Sequence, residues 1–198
     1  ETSIGYQFGE MGNSRLDYAG GANPSPAYYQ DLPSYFLADT DGPDYEGAYI
    51  AQENFINNGQ INWNRIYDAN LTNNQANLNA AYVLYEDRVD DTQLTFNSAY
   101  NREVNENIKV TASANYRNLV SDNFAEISDM LGGYSYSNID SFDYLDYNLL
   151  SPNSIVSEGD KFKYHYKMNA EEMSLFSMIN FSFNKLEFYV CLLYTSPS

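Results

Sequence analysis

The chain has 198 residues, with 27 acidic side chains against 10 Lys and Arg and a formal net charge of -17. That balance excludes a nucleic-acid binder, and equally a protein that grips an anionic membrane through basic residues. Hydrophobic content is 43%, with 20 Tyr and 11 Phe beside a single Trp, which suits surfaces part apolar and part wet. No run of about 18 apolar residues exists, so a transmembrane helix is excluded, whereas a membrane-spanning strand is not.

The chain opens without Met and without a basic-then-apolar leader, already inside an alternating stretch, and is expected to be a fragment. Ile4, Tyr6 and Phe8 alternate with Gly5, Gln7 and Gly9, which predicts a short first strand. Residues 10–79 change character. Gly20-Gly21, Pro24, Pro26, Pro33, Gly42-Pro43 and Asn58-Gly59 are turn signals in a polar, aromatic-rich segment. Two short helices are predicted within it, over 45–57 and 61–70, the second placing Trp63, Ile66, Tyr67 and Asn70 on one face. A connection this long would count against the strand assignment in a compact soluble domain, but is ordinary for an outer loop of a large membrane barrel.

A second strand is predicted over about 80–100, its middle (Glu86, Asp87, Arg88, Asp90, Asp91) too charged for lipid and only 94–100 charge-free. After a turn at 101–107, a third strand runs from Ile108 to about Leu119. In these two arms Leu94, Phe96 and Tyr100 share one parity, and Ile108, Val110, Ala112, Ala114 and Tyr116 alternate with polar residues, so each arm has one apolar and one polar face. A long acidic stretch follows at 120–160. The fourth strand is predicted over 161–183, with Leu175, Ile179, Phe181 and Phe183 on one face. Phe176 and Met178 fall on the other, explained by contact with a plug or by a bulge that shifts parity. Asn184-Lys185 turns the chain into a fifth strand beginning at Leu186, Phe188 and Val190. The last eight residues, 191–198, resemble the translation of a transposon adapter used in sequencing libraries. The expected division is therefore a partial barrel over 1–190 and a non-native tail over 191–198.

Signals for catalysis are poor, and the expectation is a non-enzyme without a cofactor or bound metal. His165 has no second His beside it. Cys191 lies in the adapter-like tail. The carboxylate pairs Glu171-Glu172 and Asp90-Asp91 read as solvated charge, because acid–base work needs them arranged around a pocket. Asp39-Thr40-Asp41-Gly42-Pro43-Asp44-Tyr45-Glu46 has the spaced oxygens that calcium prefers, yet lacks the EF-hand order of ligands, and a solvated turn is the simpler reading. Tyr28, Tyr29, Tyr35, Trp63 and Tyr67 are the candidate ligand-binding residues, since large rigid aromatics give contact area at low entropic cost. The competing reading is that they pack the loop against itself.

The connections alternate long, short, long, short, and the charge-free windows adjoin the short turns. Outer-membrane barrels have this asymmetry, with tilted strands of about nine to eleven residues crossing the lipid. The expected fold class is all-β: antiparallel up-and-down strands from a transmembrane β-barrel with long outer loops, incomplete at about five strands.

Asn23-Pro24-Ser25-Pro26-Ala27-Tyr28-Tyr29, then Leu32-Pro33-Ser34-Tyr35, and the run from Ile61-Asn62-Trp63-Asn64-Arg65 through Ile66-Tyr67-Asp68-Ala69-Asn70 resemble the first long loop of TonB-dependent outer-membrane receptors; the hairpin at 94–116 is also similar. The resemblance implies a 22-stranded barrel with an N-terminal plug, driven by the TonB complex, in the outer membrane of a Gram-negative bacterium. It implies import of a large or scarce nutrient (an iron chelate, glycan, vitamin or peptide), with outer-membrane lipid, TonB and the nutrient as partners and no nucleic acid. The plug, the TonB-contacting segment and most strands are expected to lie outside the chain. Two alternatives stay open: a plug-less outer-membrane barrel for adhesion or assembly, and a soluble extracellular glycan-binding β-protein.

Overall fold

A computed structural model describes residues 1–38, 42–139, 145, 148–152 and 154–196. The chain is mostly β. Strands β1 (Thr2–Tyr18), β2 (Tyr82–Asn105), β3 (Ile108–Asp129), β4 (Lys161–Phe183) and β5 (Leu186–Thr195) form one antiparallel sheet in the order β1-β2-β3-β4-β5. Every strand pairs with its sequence neighbours, the up-and-down connectivity that the alternation predicts, and the sheet is open rather than closed into a barrel. It is not purely β, because the first long connection carries α1 (Pro33–Leu37), α2 (Tyr45–Asn58) and α3 (Trp63–Gln75). Among the described residues no helix is long and apolar enough to cross a membrane, which says nothing about strands.

The strands lie where the alternation places them, but β1, β2, β3 and β5 are longer than it predicts. β1 continues past Gly9 to Tyr18, β2 past Tyr100 to Asn105, and β3 past Leu119 to Asp129; the first short turn is only Glu106 and Asn107. Charged residues of the added segments are held by neighbouring strands: Glu10 Oε2 of β1 lies 3.0 Å from Arg88 Nη2 of β2, and Glu103 Oε1 of β2 lies 2.8 Å from Lys109 Nζ of β3. β4 has the predicted ends, and Asn184 turns the chain with a left-handed φ of 49°, which asparagine tolerates. β5 does not stop at Val190: Cys191 sits opposite Met178 and Thr195 opposite Ser174. Residues 191–195 of the adapter-like tail therefore continue the strand, a fact about their conformation and not their origin.

The chain divides into two compact units, Glu1–Gly12, Arg88–Phe124 and His165–Ser198 in one, Asn13–Asp87 and Ala125–Tyr164 in the other. The first unit holds both short turns and almost no core. Its only buried large apolar residue among those described is Phe124. The β4–β5 ladder runs unbroken from Ser174↔Thr195 to Phe183↔Leu186, so Leu175, Ile179, Phe181 and Phe183 share a face with Tyr194, Val190, Phe188 and Leu186. With no break in that ladder, no bulge shifts parity here, and Phe176 and Met178 lie on the opposite face beside Leu193 and Cys191. Asn115 Nδ2 donates to Ser174 Oγ at 3.2 Å, which puts Asn115 with Ser174 and leaves Ile108, Val110, Ala112 and Ala114 on the face of Leu175. At the other edge Thr2 Oγ1 and Ser98 Oγ are 3.0 Å apart, so Ile4, Tyr6 and Phe8 share a face with Leu94 and Phe96.

The second unit holds both long connections and the core. Val83 and Tyr85 from β2, Ala125 and Ile127 from β3, Phe162 from β4, and Met130, Tyr136 and Val156 from the second connection pack together. Ile66 of α3 joins a smaller cluster with Ala81, Tyr82 and Leu131. Asn70, fully buried on α3, fastens these pieces. Its Nδ2 donates to the carbonyls of Tyr82 (2.8 Å), Met130 (3.0 Å) and Leu131 (3.1 Å), while its Oδ1 accepts from the amides of Ala81 (2.8 Å) and Tyr82 (3.1 Å). Gly133 is required by close approach, since a Cβ there would sit 2.5 Å from Ala80 Cβ. Lys163, at φ 59°, marks a kink that sets its ammonium 2.8 Å from Asp17 Oδ2 and 4.1 Å from the centre of the Tyr85 ring.

Candidate functional site

The first long connection is built by local chemistry. Asn23 Oδ1 accepts from the Ser25 amide at 2.9 Å and Ser25 Oγ from the Ala27 amide at 3.3 Å, which closes the Asn-Pro-Ser-Pro turn. A single 3-10 turn, Tyr29–Asp31, leads into α1, whose first residue is Pro33. Asp44 caps α2 by accepting from the Gly47 amide at 2.9 Å, and Asn62 caps α3 by accepting from the Arg65 amide at 3.1 Å.

Between these pieces lies a groove of about 620 Å³. The turn contributes Asn23, Pro24, Ser25 and Pro26, and α1 contributes Phe36. From α2 come Ile50, Ala51, Asn54, Phe55 and Asn58; from α3 and its cap come Asn62, Arg65 and Ile66, with Tyr82 of β2 beneath. A smaller cavity of about 390 Å³ adjoins it and shares Asn23, Asp31 and Arg65; Tyr18, Gly21, Ala22, Tyr28 and Gln30 complete its wall. The lining thus mixes apolar rings and branched chains with amides, one guanidinium and the Asp31 carboxylate, a mixture typical of ligand pockets. Burial raises the Tyr82 phenol above its usual pKa, opposed by the Arg65 charge, and its hydroxyl donates to the Ala22 carbonyl at 2.7 Å.

Of the five aromatics singled out in the sequence, three come together. Tyr28 and Tyr29 meet edge-on with ring centres 4.9 Å apart, Tyr29 and Tyr35 at 5.8 Å, and Tyr35 continues onto Phe36 at 5.7 Å. The chain of rings is self-packing, the competing reading of these residues, yet it ends on Phe36 in the wall of the larger groove and begins on Tyr28 in the wall of the smaller. Burial and the neighbouring Tyr29 push the Tyr28 phenol pKa up. Trp63 and Tyr67 line neither cavity; both are exposed on α3, and Tyr67 lies against Gly132. The sequence reading missed Arg65, Phe36, Ile50, Asn54, Phe55 and Asn58. The i, i+4 series Ile50, Asn54, Asn58 was legible on α2, but nothing local says which helix face meets which loop.

The other candidates are placed as follows. His165 Nε2 lies 2.7 Å from Asp122 Oδ1, with Lys167 Nζ 3.6 Å from the second oxygen and the imidazole edge-on to Phe124. Glu172 faces Arg117 at 3.5 Å, and Asp90 is held by Arg88. Asp39, Thr40 and Asp41 of the calcium-like string lie outside the described residues. Among those described, no cluster of three or more His, Cys, Asp or Glu is placed to hold a metal ion, and Asp44 is engaged as a helix cap. No family model, curated protein or solved structure matches the chain.

Proposed function

We propose that the chain forms part of the wall and outer loops of a TonB-dependent outer-membrane transporter that imports a large or scarce nutrient: an iron chelate, glycan, vitamin or peptide. The observation that carries the reading is the bare apolar face of the first unit. Ile4, Phe8, Leu186 and Leu192 are 72–74% exposed, and no described element of that unit packs over them. Burying a side chain of this size is worth about 1.5–3 kcal/mol, so such a face needs a cover. Lipid supplies one. By alternation the same face turns charged further along the strands, at Glu10, Arg88, Asp90, Asp122, His165 and Lys167, where the Arg88 pairs and the His165–Asp122 contact gather. An apolar band bounded by charge is the pattern of a barrel exterior. A soluble glycan-binding sandwich would need a second sheet over that band.

In this reading the groove and the tyrosine chain of the first long connection capture the nutrient, and a plug elsewhere in the protein engages the TonB complex. The test uses the complete outer-membrane protein with any cysteine it carries replaced by serine. A fluorophore on Ile179→Cys is quenched by brominated lipid and one on Asn180→Cys is not; equal responses at the two positions would refute the membrane face. Uptake that stops when TonB is removed supports transport, and a correctly folded barrel indifferent to TonB favours the plug-less alternative. Alanine at Tyr28, Tyr29 and Tyr35 together is expected to weaken uptake while surface expression is kept.

A further inference from the structure

Arg65 stands apart from the other cations of its unit. Arg15 pairs with Asp87, Lys163 with Asp17, and Lys161 has a partner of its own. The Arg65 guanidinium makes no ion pair or hydrogen bond with any described residue, although the chain carries 27 acids to choose from. Asp31 lines the same two cavities, yet the pair do not meet. Arg65 is exposed and lines both the 620 Å³ groove and the 390 Å³ cavity, and the larger of the two also has Phe36, Ile50 and Phe55 in its lining. Asn54 and Asn58 on the rim are neutral and can both donate and accept, and Asp31 is the one carboxylate in the lining of either cavity.

We infer that this groove binds a ligand bearing a carboxylate beside an apolar body, with Arg65 as the anchor for the carboxylate. Guanidinium donates two parallel N–H bonds to a carboxylate, a geometry that neither the flanking amides nor a lysine reproduces. The net charge of -17 repels an anion at long range, so selection for one rests on a short-range contact of this kind. The groove lies wholly within the second unit, so the inference stands whether or not the first unit meets lipid.

The probe is N-acetyl-L-phenylalanine, with its neutral amide as the control of equal shape. The full chain is titrated with each, reading the fluorescence of Trp63, the one tryptophan and two residues from Arg65, and the side-chain N–H resonance of Arg65. The acid is expected to bind at least ten times more tightly than the amide and to shift the Arg65 resonance. Arg65→Gln should remove the preference, and Arg65→Lys should keep part of it. Asn58→Asp, which adds a charge at an exposed position on the rim, should weaken the acid several-fold and leave the amide unaffected. Amide hydrogen exchange at Ala81 and Tyr82 confirms that each variant stays folded. Equal binding of acid and amide, no saturable binding of the acid, or a preference that survives Arg65→Gln would each overturn the assignment. Failure of lipid quenching at Ile179 would leave these results unchanged, so the two readings fail separately.

Discussion

Asn70 offers the sharpest test of how the second unit is held together. Its amide makes five contacts at full burial, to three carbonyls and two amides from the start of β2 and the end of β3. Nδ2 carries only two hydrogens for three carbonyls, so one is shared. Asn70→Asp keeps the shape and the acceptor but removes both donor hydrogens and aims a carboxylate at the carbonyls of Tyr82, Met130 and Leu131. A lost buried hydrogen bond that leaves its partner unsatisfied costs about 1–3 kcal/mol, so the substitution should cost roughly 2–6 kcal/mol. That is a large part of the 5–15 kcal/mol or so typical of a domain. The sign with pH also follows. Burial without a cation raises the new carboxyl's pKa, so the folded variant holds a proton that the unfolded chain releases above about pH 4. The protonated acid restores one donor, and stability falls as pH rises through the raised value. Urea unfolding at pH 5 and pH 8, read with hydrogen exchange at Ala81 and Tyr82, measures both effects. If Asn70→Asp unfolds at the parent's urea concentration at both pH values, the account of Asn70 as the fastening point is wrong.

Tyr136 is buried in the same unit, and burial, followed by the neighbouring Asp17 carboxylate, raises its phenol pKa above the ordinary 10.0. Its contribution to stability is complete below about pH 10 and is lost as pH rises above it, by up to about 1.4 kcal/mol per pH unit. Tyr136→Phe should remove that part of the alkaline slope, measured as the difference between the two unfolding curves from pH 8 to 11. Lys163→Met keeps the aliphatic stem against Tyr85 but leaves Asp17 without its cation, at an expected cost of roughly 1–3 kcal/mol. Adding Asp17→Asn should recover most of that loss in a double-mutant cycle. An insertion tag at Tyr134, 79% exposed in the second long connection, should be accessible on intact cells, and one at Asn105 beside the first short turn should not.

Residue alternation alone determined the number and order of the strands, because side-chain direction on a strand has a period of two and needs no partner to be read. Turn chemistry did the same for Asn184-Lys185, whereas the caps at Asp44 and Asn62, where a short polar side chain bonds its own backbone, were found only in the structure. The composition also announced aromatic-rich and acidic long connections. Strand length was not legible. Residues 10–18 look like loop when read alone, and lie in β1 where Glu10 and Arg15 pair with Arg88 and Asp87 of β2. The groove was hidden for the same reason. Its wall joins α1, α2, α3, a proline turn and Tyr82, and a side chain's partners across such distances are set by packing. Asn70 shows the difference most plainly: helical spacing placed it on a face with Trp63, Ile66 and Tyr67, but only the folded chain brings the two amides and three carbonyls that its side chain satisfies.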